Sequence, residues 1–382
     1  MKILLASSSS GSRGGGEIYL VYLGEALARR GHEVMLWASD HPMLDGLAAR
    51  FAPVGRVVRS PYRNTYLRPF RCFASWLDRA GAARAARQWR ELAPDVLHLN
   101  KQNLEDGLDL VRAVAPTGLP AVCTIHLTQS ARYLKAVAAR PRDWISRAAL
   151  ARFGWPLVAV QEERARDLQA FLGGRGDVRA IRNGVPVPAD QLLRAGRERA
   201  RRELGLSAQD LAVLCVGRLM PQKRPLLFLQ LAADFLRAEP RARFVWLGSG
   251  PLEAAWDAEI ARLGLGGRVA RVPWVDDVAP YLAAADLYLH AAAYEGMPLA
   301  LFEAMAAGLP CVVTENLARD MPFLREGILA VPETGGGWGP ALSAEKRAAL
   351  ASQGREAVRR DFSSERMARE FETLYEEVRR IR

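Results

Sequence analysis

Acidic residues almost vanish from one stretch of this 382-residue chain: between residues 50 and 90 there are ten Arg and a single carboxylate, Asp78. Lysine is scarce throughout, with five in all. Cysteine is scarcer still. Cys72, Cys123, Cys215 and Cys311 stand alone, the last three inside apolar strand-like runs, which suits core packing and not a disulfide framework. His32, His41, His98, His126 and His290 show no metal-ligand spacing, so no metal site is expected. No run approaches the roughly 20 apolar residues of a membrane-spanning helix. Met1–Ser10 has one Lys and a short apolar run, Ile3–Ala6; it lacks the length and cleavage pattern of a signal peptide and reads as a first strand. A cytoplasmic protein is the expectation.

What is present fits a globular chain of two domains, each able to bury a core. Half the residues are hydrophobic and 25% are charged. The net charge of +11 is uneven: residues 1–185 hold 27 basic and 16 acidic residues, whereas residues 186–382 balance at 26 of each. The Arg-rich stretch 50–90 also carries Phe51, Tyr62, Tyr66, Phe70, Phe73, Trp76 and Trp89. Arg interleaved with aromatics suits contact with an anionic membrane surface. A solvated face in an Arg-biased chain is the other reading. Nucleic acid is not expected as a partner, because no nucleic-acid motif accompanies the patch.

Strand and helix signals alternate in two passes. In the first, Lys2–Ser7, Glu33–Ala38, Asp95–Leu99, Ala121–Ile125, Leu157–Val160 and Val178–Ile181 read as strands. In the second, Leu211–Gly217, Arg243–Gly248, Val269–Val272, Leu287–Ala291, Cys311–Thr314 and Ile328–Val331 do. Helical patterns lie between, such as Ile18–Arg30, Gln161–Leu172 and Pro225–Arg237. Each half therefore reads as an α/β, doubly wound parallel sheet. The join falls near Asn183–Asp190, where N-G-V-P-V-P breaks regular structure. The expected domains are 1–185 and 186–362, followed by a helix over 363–382 with Met367, Phe371, Leu374 and Val378 on one stripe.

The most informative segment is Tyr294–Pro310, Y-E-G-M-P-L-A-L-F-E-A-M-A-A-G-L-P. An apolar run precedes it, Pro298 suits the first turn of a helix, and Gly308 and Pro310 suit its end. A strand, a loop and a short helix follow one another. Helix starts attract anions, and the carboxylates Glu295 and Glu303 accept hydrogen bonds from hydroxyls. That combination fits a ligand made of sugar, diphosphate and ribose.

The segment resembles the E-x7-E signature of retaining glycosyltransferases with the GT-B fold, most closely glycosyltransferase family 4. The resemblance implies two Rossmann-like domains facing across a cleft, with the last helix crossing back to the N-terminal one. It implies that Glu303 holds ribose hydroxyls, and that Glu295 with Gly296, Met297, Pro298 and Leu299 holds the donor sugar. Val216–Pro225, V-G-R-L-M-P-Q-K-R-P, is similar to the family's V-G-R-L-x-x-x-K-G, with Arg224 at the glycine position. Arg218 and Lys223 would stabilise the charge that builds on the leaving diphosphate.

Weaker likenesses follow. Gly11–Glu17 is similar to the family's G-G-x-E, which assigns Gly15 and Gly16 to donor phosphate; Glu17 is either structural or faces the acceptor. Thr124–Thr128 is similar to T-x-H-D, with Leu127 in place of Asp; His126 either touches the transferred sugar or is a buried structural residue. Gly248 in G-S-G-P is assigned to the wall near the nucleotide base, and Trp274 and Val275 to reading that base. Ile181–Pro186 is similar to the interdomain P-N-G-V-D. The family's G-G-x-x-E loop after Thr314 is missing; Glu315–Phe323 reads E-N-L-A-R-D-M-P-F.

The resemblance implies a retaining, metal-independent transferase with a nucleotide-diphosphate sugar as co-substrate and no other cofactor. The implied acceptor is a glycan or lipid-linked saccharide of cell-surface polysaccharide or lipopolysaccharide synthesis. Rivals are a GT-B nucleotide-sugar epimerase and a non-catalytic nucleotide-sugar-binding protein. A glycosidase would use two carboxylates but needs no diphosphate cradle. A dehydrogenase would need an acid ending strand two, where only Asp40 is near.

Overall fold

The computed structural model describes residues 1–10, 14–335, 338–339 and 342–381. Gly11, Ser12 and Arg13 of the glycine-rich stretch, and Arg382, lie outside the described residues. The chain divides into two compact units, Met1–Gly184 with Ser364–Arg382, and Val185–Ser363.

The first unit is built on strands β1 (Lys2–Ser7), β2 (Glu33–Ser39), β3 (Arg56–Ser60), β4 (Val96–Asn103), β5 (Ala121–Leu127), β6 (Leu157–Ala159) and β7 (Val178–Ala180). They form one sheet in the order β3-β2-β1-β4-β5-β6-β7, every pair parallel. The second unit holds β8 (Leu211–Val216), β9 (Ala242–Leu247), β10 (Val269–Val272), β11 (Leu287–His290), β12 (Cys311–Thr314) and β13 (Ile328–Val331). Their order is β10-β9-β8-β11-β12-β13, again wholly parallel. Helices cover both faces of such sheets, so the central strands are apolar throughout. Ile3, Leu4, Leu5 and Ala6 of β1 are fully buried, as are Val312 and Val313 of β12. In each sheet the chain order reverses beside the first strand, between β1 and β4 and between β8 and β11. Ligands of open parallel sheets bind beyond the carboxyl ends of the strands at that reversal.

The helix Ser364–Arg380 belongs to the first unit and lies along the helix Gly15–Arg29. Met367, Phe371, Tyr375 and Val378 are fully buried on one stripe, with Leu374 beside them. Tyr375 Oη meets His98 Nδ1 at 2.5 Å, and the His98 ring also packs on Phe371. Ion pairs Arg29–Glu365 and Arg30–Glu372 line the outer edge.

One strand escapes the sequence reading. Arg56-Val57-Val58-Arg59-Ser60 is the edge strand β3, paired to β2. It is short, and its two valines sit between arginines, so no alternation of two periods appears. The stretch around it is more engaged than its composition suggests. Phe51 and Trp89 are fully buried and Tyr62 nearly so. Arg59 pairs with Asp45, Arg63 with Asp40, and Arg68 with both Asp78 and Asp109. All four cysteines are buried and free.

Candidate active site

At the reversal in the second sheet, the loop after β8 meets the loop after β11. Gly217 opens the first loop, whose tight turn Pro221–Lys223 ends at Arg224 in the left-handed conformation (φ 51°). That conformation costs an L-residue roughly 1–2 kcal/mol. It is the position where the family prefers glycine. Here Arg224 makes a bidentate ion pair with Glu333, at 2.5 and 2.9 Å, which holds the turn in place. The helix Pro225–Ala238 then starts on a proline, whose missing N–H is no loss at that position. The stem of Lys223 lies against Gly217, where an added Cβ would sit 3.3 Å from Lys223 Cγ.

Lys223 Nζ reaches Glu295 Oε1 at 2.5 Å. His290, the last residue of β11, brings Nε2 to the same oxygen at 2.9 Å. Glu295 is 6% exposed. Burial pushes its carboxyl up, but Lys223 and then His290 outweigh burial and hold it down at about 2. His290 is buried, and burial holds its ring below the usual range. A neutral ring facing an ionised carboxylate donates from Nε2. Its Nδ1 then accepts from Tyr288 Oη, 3.3 Å away. The carboxylate is thus a fixed acceptor, flanked by an ammonium with donors to spare.

Arg218 leaves the same strand end exposed and makes no ion pair with a described residue. The turn after β9 is moulded onto that loop. A Cβ on Gly248 (φ 139°) would fall 2.2 Å from Gly217 O, and one on Gly250 would fall 2.5 Å from Leu219 O. Both positions are closed to any side chain, so Gly248 supports the Arg218 loop directly. Trp274 and Val275 follow β10 and are half-buried, with Trp274 Nε1 donating to Asp276 at 3.3 Å. Glu303 lies in the helix Leu299–Ala306 and is half-buried; Gly296, Met297, Pro298 and Leu299 are buried at its start. Where the family's G-G-x-x-E loop is missing, Glu315–Asp320 forms a helix. Its Asp320 carboxylate lies 3.4 Å from the backbone N–H of Glu295.

In the first unit, the loop after β1 and the end of β4 also meet at the sheet reversal. Gly15 and Gly16 open the helix Gly15–Arg29. A Cβ on Gly16 would collide with the Gln102 amide at 2.2 Å. Asn100 Nδ2 donates to Gly16 O at 2.9 Å, which turns Asn100 Oδ1 toward His126 Nε2 at 2.8 Å. His126 therefore donates from Nε2 and keeps Nδ1 as an acceptor. Burial holds the ring at about 4, so it is neutral near pH 7. Glu17 is buried and accepts from Ser9 Oγ at 2.5 Å.

Lys223 and Glu295 are thus in contact, with Arg218 and Gly248 on the same strand ends. His126, Gly15 and Gly16 gather at the reversal of the other sheet. Sequence reasoning missed His290, Asn100, Asp320 and Gln102. It had tested His290 only for metal spacing, whereas its five-residue separation from Glu295 across a strand end was the usable signal. It also missed a buried polar group in the first unit: Asp106 accepts from Asn64 Nδ2 at 2.7 Å and from Ser8, with Lys101 buried nearby.

Among the described residues no group of three or more His, Cys, Asp or Glu could hold a metal ion, and no helix is long and apolar enough to cross a membrane. Residues 13–187 match the family model Glycosyltransferase Family 4, and residues 210–338 match Glycosyl transferases group 1. A UDP-Gal:alpha-D-GlcNAc-diphosphoundecaprenol alpha-1,3-galactosyltransferase of Escherichia coli is 35% identical over 115 residues. That match spans 29% of this chain and only 30% of the relative. An N-acetyl-alpha-D-glucosaminyl L-malate synthase of Bacillus anthracis is 25% identical over the whole chain and 98% of its own length. The crystal structure of Anabaena HepE with UDP and glucose superposes with a TM-score of 0.73 at 20% identity, covering 98% of this chain and 99% of that one. Both units carry family matches and both sheets have the doubly wound parallel order; the chain belongs to the glycosyl transferases group 1, glycosyltransferase family 4, with the GT-B fold.

Proposed function

We propose that the protein is a retaining, metal-independent glycosyltransferase. It moves a sugar from a nucleoside-diphosphate sugar to a glycan or lipid-linked saccharide in cell-surface polysaccharide or lipopolysaccharide synthesis. The observation that carries this reading is the Lys223–Glu295–His290 assembly beside an exposed, unpaired Arg218. The bond from the sugar's anomeric carbon to the β-phosphate oxygen breaks, and a bond to an acceptor hydroxyl oxygen forms on the same face. The hydroxyl proton leaves on the departing diphosphate. Arg218 and Lys223 offset the charge that builds there, as placed cations do without a metal.

Glu295, kept ionised, accepts from sugar hydroxyls, together with the backbone after Gly296. Glu303 accepts from the ribose. Gly248, Trp274 and Val275 border the base. On the first unit, Gly15 and Gly16 let the backbone approach the donor phosphates, and the bare Nδ1 of His126 accepts from the transferred sugar. The Escherichia coli relative, named for a lipid-diphosphate acceptor, supports a lipid-linked acceptor. A cytoplasmic enzyme working at the inner face of the membrane follows from that acceptor.

The test is incubation with a panel of nucleotide sugars, with and without a lipid extract, followed by nucleotide release and product analysis. One donor should be consumed, with the new linkage keeping the anomeric configuration and EDTA having little effect. An inverted product, strict metal dependence, or isomerised donor without transfer would each overturn the reading.

A further inference from the structure

Among the described residues, non-glycine backbone with positive φ clusters at two exposed apolar tips: Phe70 with Arg71, and Lys135 with Ala138 around Val137. Backbone strain of this kind persists only where the surrounding structure enforces it, and it concentrates at working surfaces. Phe70 is 83% exposed and Val137 is 88% exposed. Both tips hang from one buried anchor. Arg142 pairs with Glu105 and donates to Val137 O at 2.9 Å, while Tyr66 Oη donates to the same Glu105 at 3.3 Å. Beneath them the helices Cys72–Leu77 and Ala139–Leu150 pack through Cys72, Ile145 and Ala149.

The helix Ala139–Leu150 continues this surface. Trp144 is 69% exposed, and Tyr133, just before the helix, is 74% exposed. Arg132, Lys135, Arg140, Arg147, Arg152 and Arg175 are exposed around them, and none makes an ion pair with a described residue. Trp144, Arg147, Arg152 and Arg175 line a groove of about 540 Å³ that contains no carboxylate. Asp143 is the only acid of the segment 129–152, and it is turned inward to accept the backbone N–H groups of Ala131 and Arg132 at 2.7 and 3.1 Å. Apolar tips ringed by unpaired cations complement an anionic bilayer, whose headgroups take the cations while its acyl boundary takes Val, Phe and Trp. An acidic protein would match the charge but leaves the strained, projecting tips without a purpose.

We propose that this face, centred on residues 131–152 with Phe70 and Arg175, docks on an anionic lipid bilayer. The inference deepens the lipid-acceptor reading and rests on it for its biological sense, but vesicle binding reads the face without any transfer. It also shifts the centre of the membrane contact that composition suggested: Arg59, Arg63 and Arg68 of 50–90 are held by acids, whereas of the cations in 131–152 only Arg142 is.

The experiment is co-sedimentation of the full chain with vesicles of phosphatidylglycerol and phosphatidylcholine at low salt. Binding should be strong, should fall as salt rises, and should be weak on pure phosphatidylcholine. Each cation removed should cost about fivefold in partitioning. Arg140→Glu with Arg147→Glu and Arg152→Glu should therefore lower it at least a hundredfold, and Val137→Ser with Trp144→Ser should lower it independently. Both variants should keep the parent's thermal midpoint and its donor hydrolysis. Arg84→Glu, Arg87→Glu and Arg90→Glu, equal in charge change but elsewhere, should lower partitioning only a few-fold. The proposal is overturned if the parent ignores the anionic vesicles, if the two triple variants behave alike, or if inorganic phosphate displaces the protein from the vesicles where sodium chloride of the same ionic strength does not. Failure of the parent to consume any donor of the panel, with or without the lipid extract, while vesicle binding stays intact would sink the transferase reading and leave the docking face standing.

Discussion

Replacing Lys223 with Met tests the physics of the site most directly. The Lys223 side chain is 19% exposed and that of Glu295 is 7% exposed, so solvent screens little of their attraction. Glu295 is held near 2 instead of 4.5, a shift worth roughly 3 kcal/mol at about 1.36 kcal/mol per unit. In Lys223→Met the carboxylate keeps the burial and loses its principal counter-charge, so its proton affinity rises. Breaking a buried pair at one end costs about 3–5 kcal/mol, which sets the expected loss at pH 7. Adding Glu295→Gln removes the stranded charge, and His290 can bond the amide through either tautomer. The double variant should recover half or more of the loss. The sign with pH follows from the depressed carboxyl. Its stabilisation is complete above about 4.5 and disappears as pH falls toward 2. The gap between parent and Lys223→Met should therefore shrink by more than half between pH 7 and pH 3. Urea titrations of the four proteins at both pH values provide the measurement. A single-variant loss under about 1 kcal/mol at pH 7, or a gap that does not change with pH, would refute the assigned coupling.

Other outcomes can be checked separately. Arg218→Ala should lower turnover about tenfold to a thousandfold, the range for losing one charge-stabilising donor, while the unfolding midpoint stays put because Arg218 is exposed and unpaired. Glu303→Ala should weaken nucleoside diphosphate binding in calorimetry, and Glu295→Ala should weaken the intact donor more than the free nucleotide; identical affinities in both would remove the E-x7-E assignment. Arg224→Gly should be more stable than Arg224→Ala by about 1 kcal/mol in urea unfolding, because both lose Glu333 but only glycine relieves the left-handed backbone. Burial holds His98 at about 3 and His126 at about 4, so both stay neutral in the folded chain while the unfolded chain protonates them below about 6.5. Stability should fall as pH drops through this window, by roughly 4 kcal/mol for the pair at pH 5, and His98→Gln should flatten the slope.

The parallel architecture was legible because central strands such as β1 and β12 are continuous apolar runs that only a doubly covered sheet accommodates. The Lys223 and Glu295 loops were legible because each follows such a strand and carries turn residues of fixed backbone need. β3 was not, since an edge strand can keep arginines at both ends and lose its periodicity. The polar end of β4 was hidden for a related reason. The sequence reading ends that strand at Leu99, yet Lys101, Gln102 and Asn103 extend it past the apolar core, where the Gln102 N–H donates to Asp106 at 3.3 Å and Asn103 Nδ2 donates to Tyr66 Oη at 2.6 Å. His290 was hidden because its partner is a carboxylate across a strand end, and a search for metal ligands does not pose that question. Composition alone does not say which arginines of the Arg-rich stretch are held by acids, because charge pairing is a tertiary property: Asp40, Asp45 and Asp109, which pair with Arg63, Arg59 and Arg68, all lie outside the stretch.

The helix Ser364–Arg380 supplies Phe371, Tyr375 and Val378 to the unit that begins at Met1. A ribosome makes these residues after the rest of that unit and after the whole of the second one. Until then the helix Gly15–Arg29 and His98 in β4 lack the partners that cover them. The unit synthesised first is thus the last to be completed, and the second unit, continuous from Val185 to Ser363, can close while the first still waits. A nascent chain stalled before residue 364 would expose an apolar stripe to chaperones. A chain cut short there would hold one finished unit and one left permanently open, so a late truncation harms the domain whose other residues were made first.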